Sequence, residues 1–337
     1  MLSYSNWSVL TSAFVVVTYL ALSGVALCSV LYLVGAKWRF QVRHLAVSLY
    51  SLFPLAFVLL LMLLAGGSHT FPWLGHIGHG EGHMPGWYTL PLLAAREVIG
   101  MMVIMYLWRM FIKRQEVSER SEEDRAKFHH IACWVPFFTV LYGTMVSWDF
   151  EMTLVPAWHS AIYGMENIVS NFGMFLAFMA VWIFFLNNGN KLVKRVDNYV
   201  YNYLAQMMLA FTLLWMYTFF AQYLVIWYGN IGVERNRVDF MQDGVYGPIW
   251  WGMVAMKFVV PFVTLCFPAT RHNPQATVAV AACIILGTLC ERYVWIAGAA
   301  TGGTYPILAF IVIAGLVGGI GYTLVRGAMT RNQLLKV

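Results

Sequence analysis

The sequence predicts an all-α protein that crosses a membrane about nine times, and three observations support this fold class. Hydrophobic residues make up 60% of the 337 residues, whereas Asp, Glu, Lys and Arg make up only 11%; soluble domains carry about 25% charged residues. The mean hydropathy is +0.67. The apolar residues form single runs long enough for a spanning helix of about 20 residues, rather than the short alternating segments of a β-barrel. This composition excludes a soluble enzyme, a disordered chain and a secreted disulfide scaffold.

Nine apolar runs follow one another along the chain. The first begins ten residues from the N-terminus, without a basic n-region or a small-residue cleavage site, so we interpret it as a retained helix rather than a removed signal peptide. The longest polar interval, Lys113 to Lys127, is a charge-dense loop, and residues 1–337 are therefore predicted to form a single integral membrane domain. The predicted spans are residues 11–35, 45–66, 90–112, 128–148, 162–186, 203–228, 247–268, 276–297 and 306–327.

The distribution of Lys and Arg predicts the orientation of these spans. Sixteen basic residues fall in one alternating set of segments, at the span ends that border them or in the C-terminal tail, and only Arg235 and Arg237 fall in the other set. Because cytoplasmic segments are enriched in Lys and Arg, we expect the N-terminus outside and the C-terminus inside. The net charge of +6 is then a sign of topology, not of nucleic-acid binding. The sixteen are Lys37, Arg39, Arg43, Arg109, Lys113, Arg114, Arg120, Arg125, Lys127, Lys191, Lys194, Arg195, Arg271, Arg326, Arg331 and Lys336.

Seven ionisable residues lie inside the predicted spans or at their edges, where charge is costly and usually marks function. Lys257 is ten residues into its span, about 15 Å deep at 1.5 Å per residue, and so near the midplane. The other six are predicted in the outer third of the membrane: Arg96, Glu97, Asp149, Glu166, Glu291 and Arg292. We predict that Asp149 belongs to a quinol site and that the other six form a proton path; the alternative is a lattice of structural ion pairs. The predicted proton-path residues are Arg96, Glu97, Glu166, Lys257, Glu291 and Arg292.

Four of these seven residues form two adjacent pairs of opposite charge. Arg96 precedes Glu97, and Glu291 precedes Arg292. Residues at i and i+1 do not face each other on a helix. We therefore expect each of these four side chains to find its partner on another helix.

The sequence predicts no haem or iron–sulfur cluster held by this chain. The cysteines form neither C-x-x-C nor C-x-x-C-H, the patterns that iron–sulfur clusters and c-type haems require. A b-type haem would need His44, His129 and His130 at one level, and we favour the interpretation without it. The five cysteines, which we expect to pack as small apolar residues, are Cys28, Cys133, Cys266, Cys283 and Cys290.

An outer loop from His69 to His83 is rich in histidine. Its spacings of three and four residues would suit Zn or Cu. Its glycines leave it without a rigid frame, so we favour a flexible, partner-facing loop over a metal site. The potential ligands are His69, His76, His79, Glu81 and His83.

The segment from Ser147 to Gly164, SWDFEMTLVPAWHSAIYG, has the composition of a quinol site. Asp149 and His159 are candidate acceptors of the quinol protons. Trp158 and Tyr163 are candidate rings that would hold the flat headgroup between them. Aromatic residues also form an ordinary belt at membrane interfaces, so composition alone leaves both interpretations open.

This segment resembles the corresponding stretch of the NrfD-like family, the membrane subunits of polysulphide reductase and its relatives. More narrowly, it is similar to the ActF- and ActC-type membrane subunits of alternative complex III. The likeness covers about residues 45–330, and its motifs are more specific for the superfamily than for the exact subunit. The other segments that fit are Phe220–Ile231 (FAQYLVIWYGNI), Phe258–Pro274 (FVVPFVTLCFPATRHNP) and Pro91–Arg96 with the preceding loop.

The resemblance implies a fold of two four-helix bundles side by side with one extra helix, approximately residues 45–186 and 203–327. It also implies a respiratory complex in the bacterial cytoplasmic membrane. The partners would be a multihaem c-type cytochrome, iron–sulfur and molybdopterin-like subunits and a second NrfD-like subunit. Quinol, a transient ligand, would be oxidised near the outer face, with electrons leaving to a partner and protons crossing the membrane. Asp149 and His159 fall on the family's quinol-side motif, and either quinol binding or proton conduction would suit this copy.

Two other functions stay open. A secondary transporter would use helices broken near the midplane in each half, for which Pro136 and Pro261 are candidates, although no paired short segments accompany them. A purely structural anchor for peripheral redox subunits is the third class. The Gly315-x-x-x-Gly319 pattern in the last span would serve close helix packing in all three.

Overall fold

The computed structural model describes residues 4–76, 89–230, 232–299 and 305–336. Within these ranges the regular structure is helical, apart from one isolated β-bridge between Leu192 and Leu335. Nine of the described helices are long and apolar enough to cross a membrane. This confirms the predicted all-α polytopic fold class.

The helices are numbered here in chain order. α1 to α6, α8, α10 and α11 are the candidate spans, and α7 and α9 are short connecting helices. Their bounds are α1 Tyr4–Leu33, α2 Arg39–His69, α3 Leu90–Val117, α4 Glu122–Met152, α5 Tyr163–Asn188, α6 Tyr199–Gly229, α7 Gly232–Asp243, α8 Gly247–Leu265, α9 Pro268–His272, α10 Pro274–Ala297 and α11 Ile307–Arg331.

The polar interval predicted as a loop between the third and fourth spans is mostly helical. α3 continues to Val117, and α4 begins at Glu122. The Ser121 hydroxyl accepts the backbone N–H of Asp124 at 3.1 Å, which satisfies one free donor at the start of α4. Three acidic residues in the first turn oppose the positive end of the helix dipole. The prediction of a long loop was therefore wrong, because these charges favour a helix start.

α1 lies at the centre of the fold, packed against α2, α4, α5, α10 and α11. In its most apolar stretch 83% of the residues are buried, as expected for a helix that is apolar on every side. At Gly24 a Cβ atom would lie 2.2 Å from the carbonyl oxygen of Ala46 on α2. This contact requires glycine and sets the close approach of the first two spans.

Two spans contain a π-helical segment, in which the backbone N–H donates to the fifth residue back. In α8 the segment is Ala255–Val259, and the N–H of Val260 donates to Ala255. Pro261 follows, and because it has no N–H it cannot bond the carbonyl of Lys257, four residues earlier. α4 ends in a second such segment, Trp148–Met152. Segments of this kind occur frequently at functional sites.

α11 is the least enclosed span. Only 6% of its most apolar stretch is buried. It packs against α1 and α2. Its outward residues are apolar, with Leu308 75% exposed. In a bilayer these side chains would face lipid or another protein.

Candidate functional site

A buried ion pair joins α8 to α10 in the interior of the bundle. The ammonium group of Lys257 donates to the Glu291 carboxylate and, at 2.6 Å, to the hydroxyl of Ser170 on α5. Ser170 in turn donates to Glu291. Lys257 is 4% exposed and Glu291 is fully buried. The π segment of α8 carries the lysine, so the proline-induced widening of that helix helps to set where the ammonium group lies.

Arg292 binds three carboxylates. Its guanidinium donates to Glu151, lies 2.9 Å from the nearest oxygen of Glu291 and 3.8 Å from Glu166. The expectation that Glu291 and Arg292 pair only with other helices was therefore wrong in part. The rule for neighbouring residues describes the directions of the Cβ atoms, and the long, flexible arginine side chain reaches back past its own Cβ.

Glu151 is the member of this cluster that the sequence did not predict. It is fully buried and, besides the bond from Arg292, it accepts hydrogen bonds from the Tyr163 hydroxyl at 2.5 Å and the Asn167 amide at 2.8 Å. The apolar pattern ended the fourth span at residue 148 and assigned Glu151 to an outer loop. The π segment extends the helix to Met152 and turns this acid inward.

The carboxyl groups of Glu166 and Glu291 share one donor. The indole N–H of Trp215 on α6 lies 3.1 Å from an oxygen of Glu166 and 2.8 Å from an oxygen of Glu291. The second oxygen of Glu166 has no hydrogen-bond partner among the described residues. Two carboxyl groups therefore lie side by side, one fully bonded and one half bonded.

A second charged group lies at the ends of α3 and α4. Arg96 donates two hydrogen bonds to Asp149, at 2.6 Å from Nε and 2.5 Å from Nη2, the two-pronged geometry that gives strong arginine–carboxylate pairs. Asp149 is fully buried, and the Arg96 side chain is 11% exposed. Glu97 is also fully buried, close to Asp149 and Tyr142. In the described structure neither of its carboxyl oxygens makes a well-aligned hydrogen bond, although both neighbours lie close enough to interact with it.

Tyr19 on α1 is close to both charged groups. It is close enough to interact electrostatically with Glu97 in one group and with Glu151 and Glu166 in the other. Its hydroxyl donates to the backbone carbonyl of Gly143 on α4 at 2.7 Å. Tyr142, beside Glu97, is close to Tyr19 as well. Two buried tyrosines therefore lie close to the carboxyl groups, Tyr142 to those of one charged group and Tyr19 to those of both.

The residues predicted to form a quinol site differ in their exposure and in their contacts. Trp158 and Tyr163 are both buried and contact each other edge to face, with ring centroids 5.4 Å apart. Trp295 packs on both rings, so no slot for a flat ligand separates them. Asp149 is buried in its pair with Arg96, whereas His159 is exposed.

Arg237 was counted as an ordinary outer basic residue and is instead buried, at 5% exposure. From α7 it donates to the backbone carbonyls of Glu151, Met152 and Trp295, at 2.9–3.1 Å. Its guanidinium also lies 4.7 Å from the ring centroid of Trp158. Burial lowers the pKa of Arg237. No sequence signal distinguishes it from Arg235, two residues earlier and exposed.

The residues considered for metals are placed as follows. Among the described residues no group of three His, Cys, Asp or Glu is arranged to hold a metal ion. His69 stacks on Trp7 with centroids 6.2 Å apart, and His129 lies beside His130 at 6.5 Å. Most of the histidine-rich loop, including His79, Glu81 and His83, lies outside the described residues.

A comparison of the chain with models of known protein families gives no match, and neither does a comparison with curated proteins. The fold and the site define the class of protein. It is an all-α, multi-pass membrane protein whose interior, in the described residues, holds two clusters of buried charge.

Proposed function

We propose that this chain is the proton-conducting membrane subunit of a respiratory quinol:electron-acceptor oxidoreductase of the NrfD-like type. Partner subunits, with multihaem c-type, iron–sulfur and molybdopterin-like centres, would carry the electrons. The observation that carries the proposal is the buried cluster of Lys257, Glu291, Arg292, Glu166 and Glu151. Ionisable groups at membrane depth are expensive, and chains of them mark proton relays in pumps and transporters.

The arrangement of Glu166 and Glu291 supports a proton held at Glu166. Two carboxyl groups this close share one proton, because both cannot be charged cheaply in a dry site. Glu291 has Lys257, Arg292 and Ser170 to stabilise its charge. Glu166 has one oxygen that accepts no hydrogen bond in the described structure. A charged oxygen buried without a hydrogen bond costs on the order of several kcal/mol. Glu166 is therefore the group that takes up and releases a proton.

The same argument applies to the second charged group. The Arg96–Asp149 pair is balanced in charge, and Glu97 lies buried beside the Asp149 carboxylate with no well-aligned donor to either oxygen among the described residues. Glu97 therefore holds a proton in its resting state. Tyr142 is close to Glu97 and Tyr19, and Tyr19 is close to Glu166, so their hydroxyl groups would carry a proton onward by rearranging their hydrogen bonds. The proposed route runs from Asp149 and Glu97 past Tyr142 and Tyr19 to Glu166.

Quinol binding by this chain is the other role within the same complex. Quinol oxidation releases two electrons and two protons, and Asp149 with His159 would be the proton acceptors. Direct contact between Trp158 and Tyr163 and the exposure of His159 give this role less support. We therefore assign proton conduction to this chain and quinol binding to its NrfD-like partner.

A secondary transporter is the second candidate, and one observation favours it. α8 is interrupted by a π segment that carries Lys257, and α4 ends in a π segment that carries Glu151, so both segments bring charged cluster residues into the interior. Interrupted helices near the midplane are typical of substrate and ion sites in transporters.

Purification with an affinity tag on this chain separates the two candidates. The proposal expects a multi-subunit assembly with c-type haem absorbance and quinol oxidation activity. In proteoliposomes, Glu166→Gln should lower the protons moved per electron, while Glu122→Gln, at an exposed acid on α4, should not. A colourless protein purified alone, or an unchanged proton ratio in Glu166→Gln, would contradict the proposal.

A further inference from the structure

A groove runs between α11 and the rest of the bundle, beside the contacts that α11 makes with α1 and α2. It has a volume of about 640 Å³, within the range of about 300–1,000 Å³ typical of ligand sites. Its walls come from α1, α2, α5, α10 and α11 and are mostly apolar, with Leu20, Phe178, Trp182 and Val317 among them. The groove lies apart from the buried ion clusters, since none of their charged residues lines it.

One end of the groove is basic. Lys191, Arg326 and Lys336 line it, and no acidic residue appears among the described residues that form its walls. Lys191 lies three residues beyond the end of α5, and Arg326 lies in the last turns of α11. All three belong to the set that the distribution of charge assigns to the cytoplasmic side. The groove therefore has an apolar length and a positively charged end, and that end lies at the level of the inner lipid headgroups in the predicted orientation.

The chain holds two of these basic residues close to each other. The backbone N–H of Lys336 donates to the carbonyl oxygen of Lys191 at 2.8 Å, and the N–H of Val193 donates to Leu334 at 3.0 Å. These bonds tie the C-terminal segment to the segment after α5. Backbone hydrogen bonds between the two segments therefore hold Lys191 and Lys336 next to each other.

The geometry points to a bound anionic phospholipid in this groove, with its acyl chains along the apolar walls and its phosphate between Lys191, Arg326 and Lys336. Basic pockets between spans on the cytoplasmic side suit anionic headgroups. The isoprenoid tail of a quinone or an apolar partner helix would fill the cleft but would leave the three positive charges without a counterion. Acyl chains would also supply the contacts that α11 lacks along this edge, which an empty cleft forfeits.

Two pairs of variants test the site. Lys191→Gln, Arg326→Gln and Lys336→Gln together remove the basic end, and Lys37→Gln, Lys113→Gln and Arg125→Gln remove equal charge from exposed positions elsewhere on the same predicted side. In the apolar part, Gly318→Phe should block the groove and Gly319→Phe should not. Both glycines have open space where a Cβ would go, and only Gly318 lines the groove.

The measurement is native mass spectrometry of the intact protein, or of its complex, from nanodiscs of phosphatidylglycerol and phosphatidylcholine in equal parts. We expect retained phosphatidylglycerol in the unmodified protein and both controls. In the triple basic variant its affinity should fall by about 100-fold, since each basic residue near the surface contributes roughly a factor of five, and Gly318→Phe should also lose it. Retained phosphatidylcholine in place of phosphatidylglycerol, a bound quinone, or undiminished binding in the triple variant would overturn the proposal. Because the readout is lipid binding, the result is independent of proton conduction.

Discussion

The ammonium group of Lys257 donates a hydrogen bond to the carboxylate of Glu291, and both side chains are buried between α8, α10 and α5. Removing one partner of a buried pair leaves an uncompensated charge and costs about 3–5 kcal/mol. Surface pairs contribute only about 0–1 kcal/mol. The pair therefore makes the site sensitive to substitution in both stability and proton transfer.

Lys257→Met should lower the free energy of unfolding by about 3–5 kcal/mol and reduce the protons moved per electron. Chemical unfolding in mild detergent and proton release in proteoliposomes measure the two effects. The control is Lys127→Met, which breaks the exposed pair with Glu123 and should change stability by less than about 1 kcal/mol. An unchanged proton ratio in Lys257→Met would remove this lysine from the proton path.

Glu97→Gln should leave stability nearly unchanged, within about 1 kcal/mol, and still slow proton transfer. Glutamine resembles a protonated glutamate in shape and charge but cannot release a proton. Asp149→Asn should instead lower stability by about 2–4 kcal/mol, since it removes the charge that Arg96 binds. Thermal unfolding and proton release of both variants provide the comparison. A large loss of stability in Glu97→Gln would show that Glu97 is charged at rest.

The same Asp149→Asn variant tests quinol binding. If Asp149 accepts a quinol proton, its loss should abolish quinol oxidation in the assembled complex. If this chain conducts protons only, the oxidation rate should fall modestly while the protons moved per electron decrease. Stopped-flow reduction of the partner haems distinguishes the two results.

Pro261→Ala should reduce proton transfer without lowering the melting temperature. Alanine at position 261 has a backbone N–H that can donate to the carbonyl oxygen of Lys257. This bond favours a regular α-helix in place of the π segment Ala255–Val259. Loss of the extra residue would rotate Lys257 by about 100° relative to the residues beyond it. Pro136→Ala is the matched control, because Pro136 lies inside the α-helical part of α4. A wild-type proton ratio in Pro261→Ala would separate the π segment from function.

Arg237→Lys should destabilise the protein by about 2–4 kcal/mol, since lysine cannot donate to three carbonyls in the same fixed geometry. Arg235→Lys, at an exposed pair with Asp239 on the same helix, should change stability by less than about 1 kcal/mol. Chemical unfolding of both variants measures the difference. Equal losses of stability in the two variants would mean that the three buried hydrogen bonds of Arg237 stabilise the protein no more than the exposed pair of Arg235 does.

The sequence by itself determined that this chain is an all-α, multi-pass membrane protein, and its nine apolar runs match the nine candidate spans among the described residues, because long apolar runs have few alternatives in a bilayer. It also determined which charged residues would be costly to bury in a membrane. Four of them belong to one buried cluster: Lys257, Glu166, Glu291 and Arg292. These conclusions follow from composition and from position along single helices.

Only the tertiary structure decided how those charges pair. Glu151 and Arg237 joined the site although both lay outside the predicted spans, because a π segment and a short helix fold back onto the bundle. Trp158 and Tyr163 contact each other instead of leaving a slot, and Arg292 reaches its own neighbour Glu291. Pairing depends on side-chain reach and on the approach of distant helices, and neither is encoded in hydropathy or in the spacing of residues along one helix.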